Sequence, residues 1–516
     1  MTEERKSLLY KLEPLIKRFP AVTKPEGHVH FRTKLIWSFA CLLAYFVLSN
    51  VFIYGLGGSS LDVFSSFRAI LAGASGSIVH LGIGPIVTGS IIMQLFVGAK
   101  IIKLDLQNSE DKSIYQGAQK VLVVVMIFVE AIPQVFGFLM PDQVAISRLG
   151  LGWARFIIIM QLALGSYLVF LMDEVVSKWG LGSGISLFIV AGVAQSLFTG
   201  LISWIPQQAG SALSISNPPG GILPKTFYLL SQYTTGQLIG GGGFDTLLIG
   251  RPGETNTIAA LVGSLTTFFI VVYSEASRIE LPLAHGRVRG ARGRYPIRLL
   301  YASNIPVILA GALLANVNLI GLLLWSGPLR GMPFIGHKLW VGGYQDGTTS
   351  PVTGIAYYFS QVTGLSQWLL PFLSPAYAGL FLTRAPWQIL LHVAFYAVFM
   401  IGGSIIFAIF WIETTNMGAN QVAKQIEGSG MQIPGFRRDP RVTAKILERY
   451  IPVVTVVGGA AVGALAVFAD LIGTLGNASG TGILLAVGIL QRLYEQIAKE
   501  QAIEMHPVLR GFFGEG

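Results

Sequence analysis

The sequence predicts an all-α polytopic membrane protein, with ten transmembrane helices in two inverted five-helix halves. Three observations lead there: a composition no water-soluble core accommodates, ten apolar runs of bilayer length, and short motifs repeated between the halves. Of 516 residues, 52% are hydrophobic and 12% charged, against about 25% charged in soluble domains. Lipid can cover that much apolar surface; a soluble fold cannot. The formal charge of +10 suits a nucleic-acid partner only if the basic residues gather on one face. The single cysteine, Cys41, lies in an apolar run, which excludes a disulfide framework and a cysteine-based metal site.

The first element is an arm over residues 1–30. Leu8, Leu12, Leu15, Ile16 and Phe19 share one helical face beside Lys11, Lys17 and Arg18, the pattern of an amphipathic helix lying on the inner membrane surface. The arm is charged and no small-residue cleavage site follows the first apolar run, so it does not read as a cleaved signal.

Runs of roughly 17–25 apolar residues cross a bilayer. Ten such runs fall at 35–53, 78–97, 121–138, 156–172, 184–204, 257–273, 299–324, 387–411, 451–469 and 480–493. The first half is therefore 31–204, an external loop occupies 205–256, and the second half is 257–496 with a tail at 497–516. With the N-terminus inside, 28 of the 36 Lys and Arg fall on inner segments, including the loops 276–298 and 413–449. The positive-inside rule then places both termini in the cytoplasm. The outer segments after Trp204 and Leu324 are long. The first holds Asn217-Pro218-Pro219-Gly220 and four consecutive glycines from Gly240, which reads as irregular chain.

Spans five and ten open alike, with Gly182-Ser183-Gly184-Ile185 and Gly480-Thr481-Gly482-Ile483. Spans two and seven share a proline followed two residues on by a β-branched residue: Pro85 and Val87, Pro306 and Ile308. Equivalent positions in two blocks of five give the second block opposite topology, an inverted repeat of the kind transporters and channels use. Small residues that merely help membrane helices pack would produce similar short matches.

Between spans one and two, 61–71 reads as a helix too short to cross, with Ser60 as N-cap and Asp62 in its first turn. Gly73, Gly76, Gly82 and Gly84 make the chain after it bendable. Non-helical backbone at membrane depth persists only against protein or a water-filled cavity. Glu130, in the middle of span three, is costly for the same reason unless it faces protein or water.

Several motifs in order, Leu81-Gly82-Ile83-Gly84-Pro85-Ile86-Val87-Thr88, Ile91-Ile92-Met93-Gln94-Leu95, Pro282-Leu283-Ala284-His285-Gly286-Arg287, Tyr295-Pro296-Ile297 and Ser303-Asn304-Ile305-Pro306, resemble signatures of the SecY family. The wording is closer to its archaeal members. The resemblance runs from about Phe31 to the C-terminus and is poor in the two long outer loops. It implies a SecY-type clamshell in the cell membrane, with an hourglass pore closed by an apolar waist and a plug helix. By motif match the waist is Ile83, Val87, Ile185, Ile189, Ile308 and Leu485. Residues 83/87 and 185/189 are i,i+4 pairs, each presenting one helix face, and an apolar ring can stop ions by dewetting. The plug corresponds to 62–75, with Asp62, Phe64, Phe67, Arg68 and Leu71. Many relatives carry an arginine near its end, where this chain has Ala74; here the arginine is Arg68. Thr88, Glu130 and Asn304 correspond to a polar cluster at the lateral gate, between spans two, three, seven and eight, although Thr88 and Asn304 equally suit helix–helix hydrogen bonding.

The resemblance also implies partners: the SecE/gamma and beta subunits in a heterotrimer, a translating ribosome, signal-sequence-bearing polypeptides and membrane lipids. The inner loops carry Arg287, Arg289, Arg437 and Arg438 for the ribosome, whose RNA phosphates suit arginine-rich loops; DNA is not expected. Topology and anionic headgroups account for part of the same charge. No catalytic constellation, P-loop, cofactor motif or metal motif is visible, so the expectation is a channel and not an enzyme. The rival class is an inverted-repeat secondary solute transporter, which would need paired ionisable residues at the bilayer midplane.

Overall fold

The computed structural model describes residues 10, 14, 22–27, 29–58, 68–98, 101–102, 104, 108–206, 212–215, 217–240, 242–250, 254, 256–285, 292–298, 304–325, 328–334, 336–344, 349–373, 377, 379, 384–415, 417–428, 431–432, 440–476 and 478–505. Ten long helices follow in the predicted order: α1 (Phe31–Ser49), α2 (Gly84–Gly98), α3 (Ser109–Gly137), α4 (Leu151–Trp179), α5 (Gly184–Ile202), α6 (Ile258–Ala276), α7 (Ile305–Trp325), α8 (Pro386–Thr414), α9 (Pro440–Ile472) and α10 (Gly480–Met505). Eight are long and apolar enough to cross a bilayer. The other two are α2, apolar but only 15 residues long, and α10, which begins apolar and then turns charged.

Several helices outrun the apolar runs that announced them. Helix α3 starts at Ser109, where the Asn108 side chain accepts the Glu110 N–H at 3.1 Å and Glu110 and Asp111 fill the first turn. A capping oxygen and acidic residues both stabilise that end of a helix. Hydropathy registers only the part of a helix that meets lipid. Span two is shorter than expected for the opposite reason: 78–83 is a run of turns, and regular helix begins only at Gly84.

Helix α1 shows the inside-out pattern of a membrane element. Its buried positions are Ser38, Cys41, Tyr45 and Ser49, while Ile36, Phe39, Leu43 and Val47 are exposed. With no hydrophobic drive between helices in lipid, small residues let backbones approach. The α8–α9 packing uses this: a Cβ on Gly463 would lie 2.8 Å from Ile401 Cα, and one on Gly459 3.1 Å from Ile405 Cα.

The segment expected as an irregular external loop contains regular structure among its described residues. It folds into short helices at Ile222–Gln232, Thr235–Gly240 and Gly243–Leu248. They are held by an apolar cluster of Ile222, Leu229, Leu238, Leu247 and Leu475. Lys225 is fully buried there, its Nζ donating to Asn256 O at 2.8 Å and facing Glu254 Oε2 at 3.4 Å. A glycine run marks where chain can turn, but the apolar spacing on either side decides what forms between the turns.

The first large basic loop is a hairpin: β1 (Arg278–His285) pairs antiparallel with β2 (Arg292–Arg298). Met431 and Gln432, from the second basic loop, pair with His285 and Ala284 on the other edge of β1. A small sheet thus joins the two basic loops, an addition to the all-helical expectation. Asp62, Phe64, Phe67, Arg287, Arg289, Arg437 and Arg438 lie outside the described residues, as does the apolar face of the N-terminal arm.

Candidate functional site: an apolar waist, its plug and a polar seam

Ile83, Val87, Ile189, Ile308 and Leu485 are buried in one apolar cluster, and Ile185 packs against it half-buried. All six expected waist residues, from four helices and the turn ahead of α2, belong to this large common core. The same cluster takes in Ile70, Leu71 and Ala72, from the short helix Arg68–Leu71 and the residue after it. That helix packs on α5 and α10.

Hydrogen bonds hold the end of the plug segment against the start of α2. The Ile83 N–H donates to Leu71 O at 2.7 Å, so a waist residue is itself the donor. Tyr45 Oη of α1 donates to Ala72 O at 2.9 Å, and the Tyr45 ring stacks on Phe188 of α5 at 5.0 Å. The Arg68 guanidinium donates to His80 O and lies 3.2 Å from the imidazole nitrogens. Arg68 thus closes the loop between plug and α2. Gly82 is the tightest point: its φ is +56°, and a Cβ there would lie 2.1 Å from Leu71 O. Only glycine fits such a backbone at such a distance.

Two of the three residues expected in the polar cluster, Thr88 and Glu130, touch each other, and a residue outside the expectation, Asn316, joins them. Thr88 Oγ1 of α2 donates to Glu130 Oε1 of α3 at 2.8 Å, and Glu130 is 3% exposed. Asn316 of α7 donates through Nδ2 to Thr88 Oγ1 at 3.3 Å. The expectation that Asn304 joins them is corrected. Asn304 precedes α7, and its Nδ2 would lie 1.9 Å from a Cβ on Gly488 of α10, which Glu275 Oε1 of α6 also approaches at 2.5 Å. Twelve residues at about 1.5 Å each separate the two asparagines along the helix, so only Asn316 reaches Thr88. A polar residue just over three turns further along the same span was the available signal.

Helix α2 meets α7 and α8 along this seam, and a Cβ on Gly98 would lie 2.8 Å from the Phe410 ring of α8. Among the described residues Glu130 forms no ion pair. That is not the paired ionisable site a coupled solute transporter requires.

Sequence reasoning also missed two carboxylates. Asp173 Oδ1 accepts the Ile185 N–H at 2.9 Å, at the start of α5. Asp470 accepts the Thr481 N–H at 3.0 Å and the Thr481 and Tyr396 hydroxyls at 2.6 Å each, at the start of α10. Both lie upstream of the repeated glycine motifs, on the preceding helix.

Apolar helices of membrane length, with a short helix tethered into their common core, mark a multi-pass membrane protein. The SecY family model matches residues 77–494, and the plug domain of Sec61p matches residues 43–76. The chain is 47% identical over 512 residues to the protein translocase subunit SecY of Archaeoglobus fulgidus, covering 99% of each chain. With that of Haloferax volcanii it shares 46% identity, over 97% of this chain and 98% of the other. Its fold superposes with a TM-score of 0.76 on a solved protein-conducting channel, at 38% identity over 96% of this chain and 98% of that one. For Sec61 in the canine ribosome-channel complex from the endoplasmic reticulum the TM-score is 0.73, at 37% identity over the same 96% and 98%. The chain belongs to the SecY family of protein translocase subunits.

Proposed function

We propose that the chain is the pore-forming subunit through which secretory polypeptides cross the membrane and from which hydrophobic segments leave sideways into lipid. The observation that carries this reading is the plug segment packed into the same apolar core as the six expected waist residues and bonded to one of them, Ile83. Apolar side chains from four helices can part around a polypeptide, yet exclude ions when they close by refusing to wet. Thr88, Glu130 and Asn316 form the polar bridge across the seam where a signal segment departs. Breaking one hydrogen bond of net value about 1 kcal/mol is a small obstacle to opening.

The membrane is the cell membrane with both termini cytoplasmic, a reading supported by the 28 of 36 basic residues on one side. On that side the inner loops, joined through β1 and Met431–Gln432, offer Arg287, Arg289, Arg437 and Arg438 to ribosomal RNA. SecE/gamma-type and beta-type subunits complete a heterotrimer. The chain acts as a conduit, with no chemical step of its own.

Reconstitution tests the whole reading. The protein, purified with its small subunits into liposomes, is given ribosomes translating a signal-bearing polypeptide. Protease-protected polypeptide is expected inside the vesicles, with no uptake of small solutes. Solute accumulation driven by an ion gradient, with no protected polypeptide, would make it a transporter.

A further inference from the structure

The repeated motifs ahead of α5 and α10 do more than mark an inverted repeat. In each half an aspartate near the end of the preceding helix reaches over the turn and accepts hydrogen bonds from the motif. In the first half, Asp173 of α4 accepts the Ile185 N–H at 2.9 Å, and Ser183 Oγ lies 3.5 Å from the same oxygen. In the second, Asp470 of α9 accepts the Thr481 hydroxyl at 2.6 Å and its N–H at 3.0 Å. Ser183 and Thr481 hold the same place in the two motifs, and each turns its hydroxyl to the carboxylate.

The glycines explain how the carboxylates get so close. A Cβ on Gly184 would lie 2.5 Å from Asp173 Cα, and one on Gly480 2.1 Å from the Ala469 carbonyl carbon. Both turns use positive φ: Gly182 at +76° in the first, and Gly473, Gly476 and Ser479 at +86°, +65° and +50° in the second. Five membrane crossings separate the two turns, so they lie on opposite faces of the bilayer.

We infer that Asp173 and Asp470 are a matched pair of positioning residues, each fixing the height and rotation of one waist-bearing helix from opposite ends of the pore. The link to the waist is short. Ile185, which donates to Asp173, is a waist residue. Leu485 lies one turn after Thr481 on the same face. An N-terminus held by an acceptor cannot slide or turn without losing that bond, whereas packing alone tolerates small rotations. Asp470 does more than Asp173: Tyr396 of α8 donates to it, and its own carbonyl accepts the Gly364 N–H at 2.7 Å. It therefore also ties α10 to the seam helix α8 and to the outer loop.

This inference rests on the waist reading, so the experiment carries a control for each. Ion conductance and thermal stability are measured on reconstituted channels bearing Asp173→Ala, Asp470→Ala, the two Asn variants, Ile83→Ser/Ile185→Ser, and Asn108→Ala. The last removes an N-cap acceptor from α3, which contributes no waist residue. Loss of one capping acceptor typically corresponds to about fivefold in a conformational equilibrium. Each Asp→Ala variant is therefore expected to raise resting conductance about fivefold. The Asn variants, which keep an acceptor oxygen, should stay near wild type. Asn108→Ala should lose stability without leaking. If an Asp→Ala protein fails to fold, Ser183→Ala and Thr481→Ala remove only the hydroxyl arm and should leak in the same direction. Leaky serine-ring channels beside tight Asp→Ala channels, or equal leakage from Asn108→Ala, would overturn the positioning role. A tight serine ring would remove the waist reading, and the inference with it.

Discussion

Single residues decide how the plug sits. Gly82 joins a positive φ to a backbone approach that leaves no room for a side chain. A non-glycine residue in that region costs about 1–2 kcal/mol before any clash is counted. Gly82→Ala is therefore expected to shift the plug toward an unseated position by roughly tenfold, read as higher resting conductance in planar bilayers. Gly311→Ala in α7, where an added Cβ meets nothing within 4 Å, is the matched control and should stay closed. Equal conductance from the two would remove Gly82 from the seal. At this scale the six residues proposed for the waist follow from the motif match to the SecY family, with 83/87 and 185/189 as i,i+4 pairs. Asn316 was not legible: span seven carries Asn304, Asn316 and Asn318, and only the helical rise from a known neighbour chooses among them. Asp173 and Asp470 were illegible for a related reason. Their partners lie across a turn, and the spacing is ten residues in one half and eleven in the other.

At the scale of elements, the proposed function has the waist and the plug close one path in series. Four helices carry or adjoin the six residues proposed for the ring, and the helix Arg68–Leu71 is packed against two of them. Replacing Ile83 and Ile185 together with Ser gives waiting water hydrogen-bond partners from two sides of the ring, and hydrated ions can follow. The expected result is a larger, flickering conductance, increased again when residues 62–75 are deleted. Leu43→Ser on the exposed face of α1 should remain as tight as wild type. A serine ring as tight as that control would make these residues ordinary helix packing. The helices themselves were legible wherever lipid imposes a continuous apolar run. Their true ends were not, since α3, α9 and α10 continue past the apolar run under the control of caps and backbone bonds. Nor were the external helices, because Gly240 to Gly243 signal a turn without saying what flanks it.

On the scale of the whole molecule, two inverted halves meet along a seam. Cross-linking the seam tests whether it opens. With Cys41 replaced by Ser, Thr88→Cys and Asn316→Cys place thiols on α2 and α7 where the native side chains touch at 3.3 Å. A short bis-maleimide bridge should stop hydrophobic segments from reaching lipid while leaving the closed channel tight to ions. Continued integration by the bridged protein would move the exit elsewhere.

The charge asymmetry of the whole chain sets the last expectation. The proposed topology accounts for basic residues gathering in loops of one side, but not for the strand pairing that joins two of those loops through β1 and Met431–Gln432. Joined loops would present their basic residues together, the arrangement a phosphate-rich partner rewards. Arg287 and Arg289 fall in the connection between the paired Ala284 and Arg292. A phosphate that no longer meets an arginine keeps its condensed counterion, so about one fewer ion is released on binding. Reversing both to Glu should therefore weaken ribosome binding, and the affinity that remains should fall less steeply with salt. Insertion should persist, because the other inner Lys and Arg still orient the spans. Ribosome affinity unchanged at physiological salt would leave these two arginines as determinants of topology, and docking would pass to the second loop.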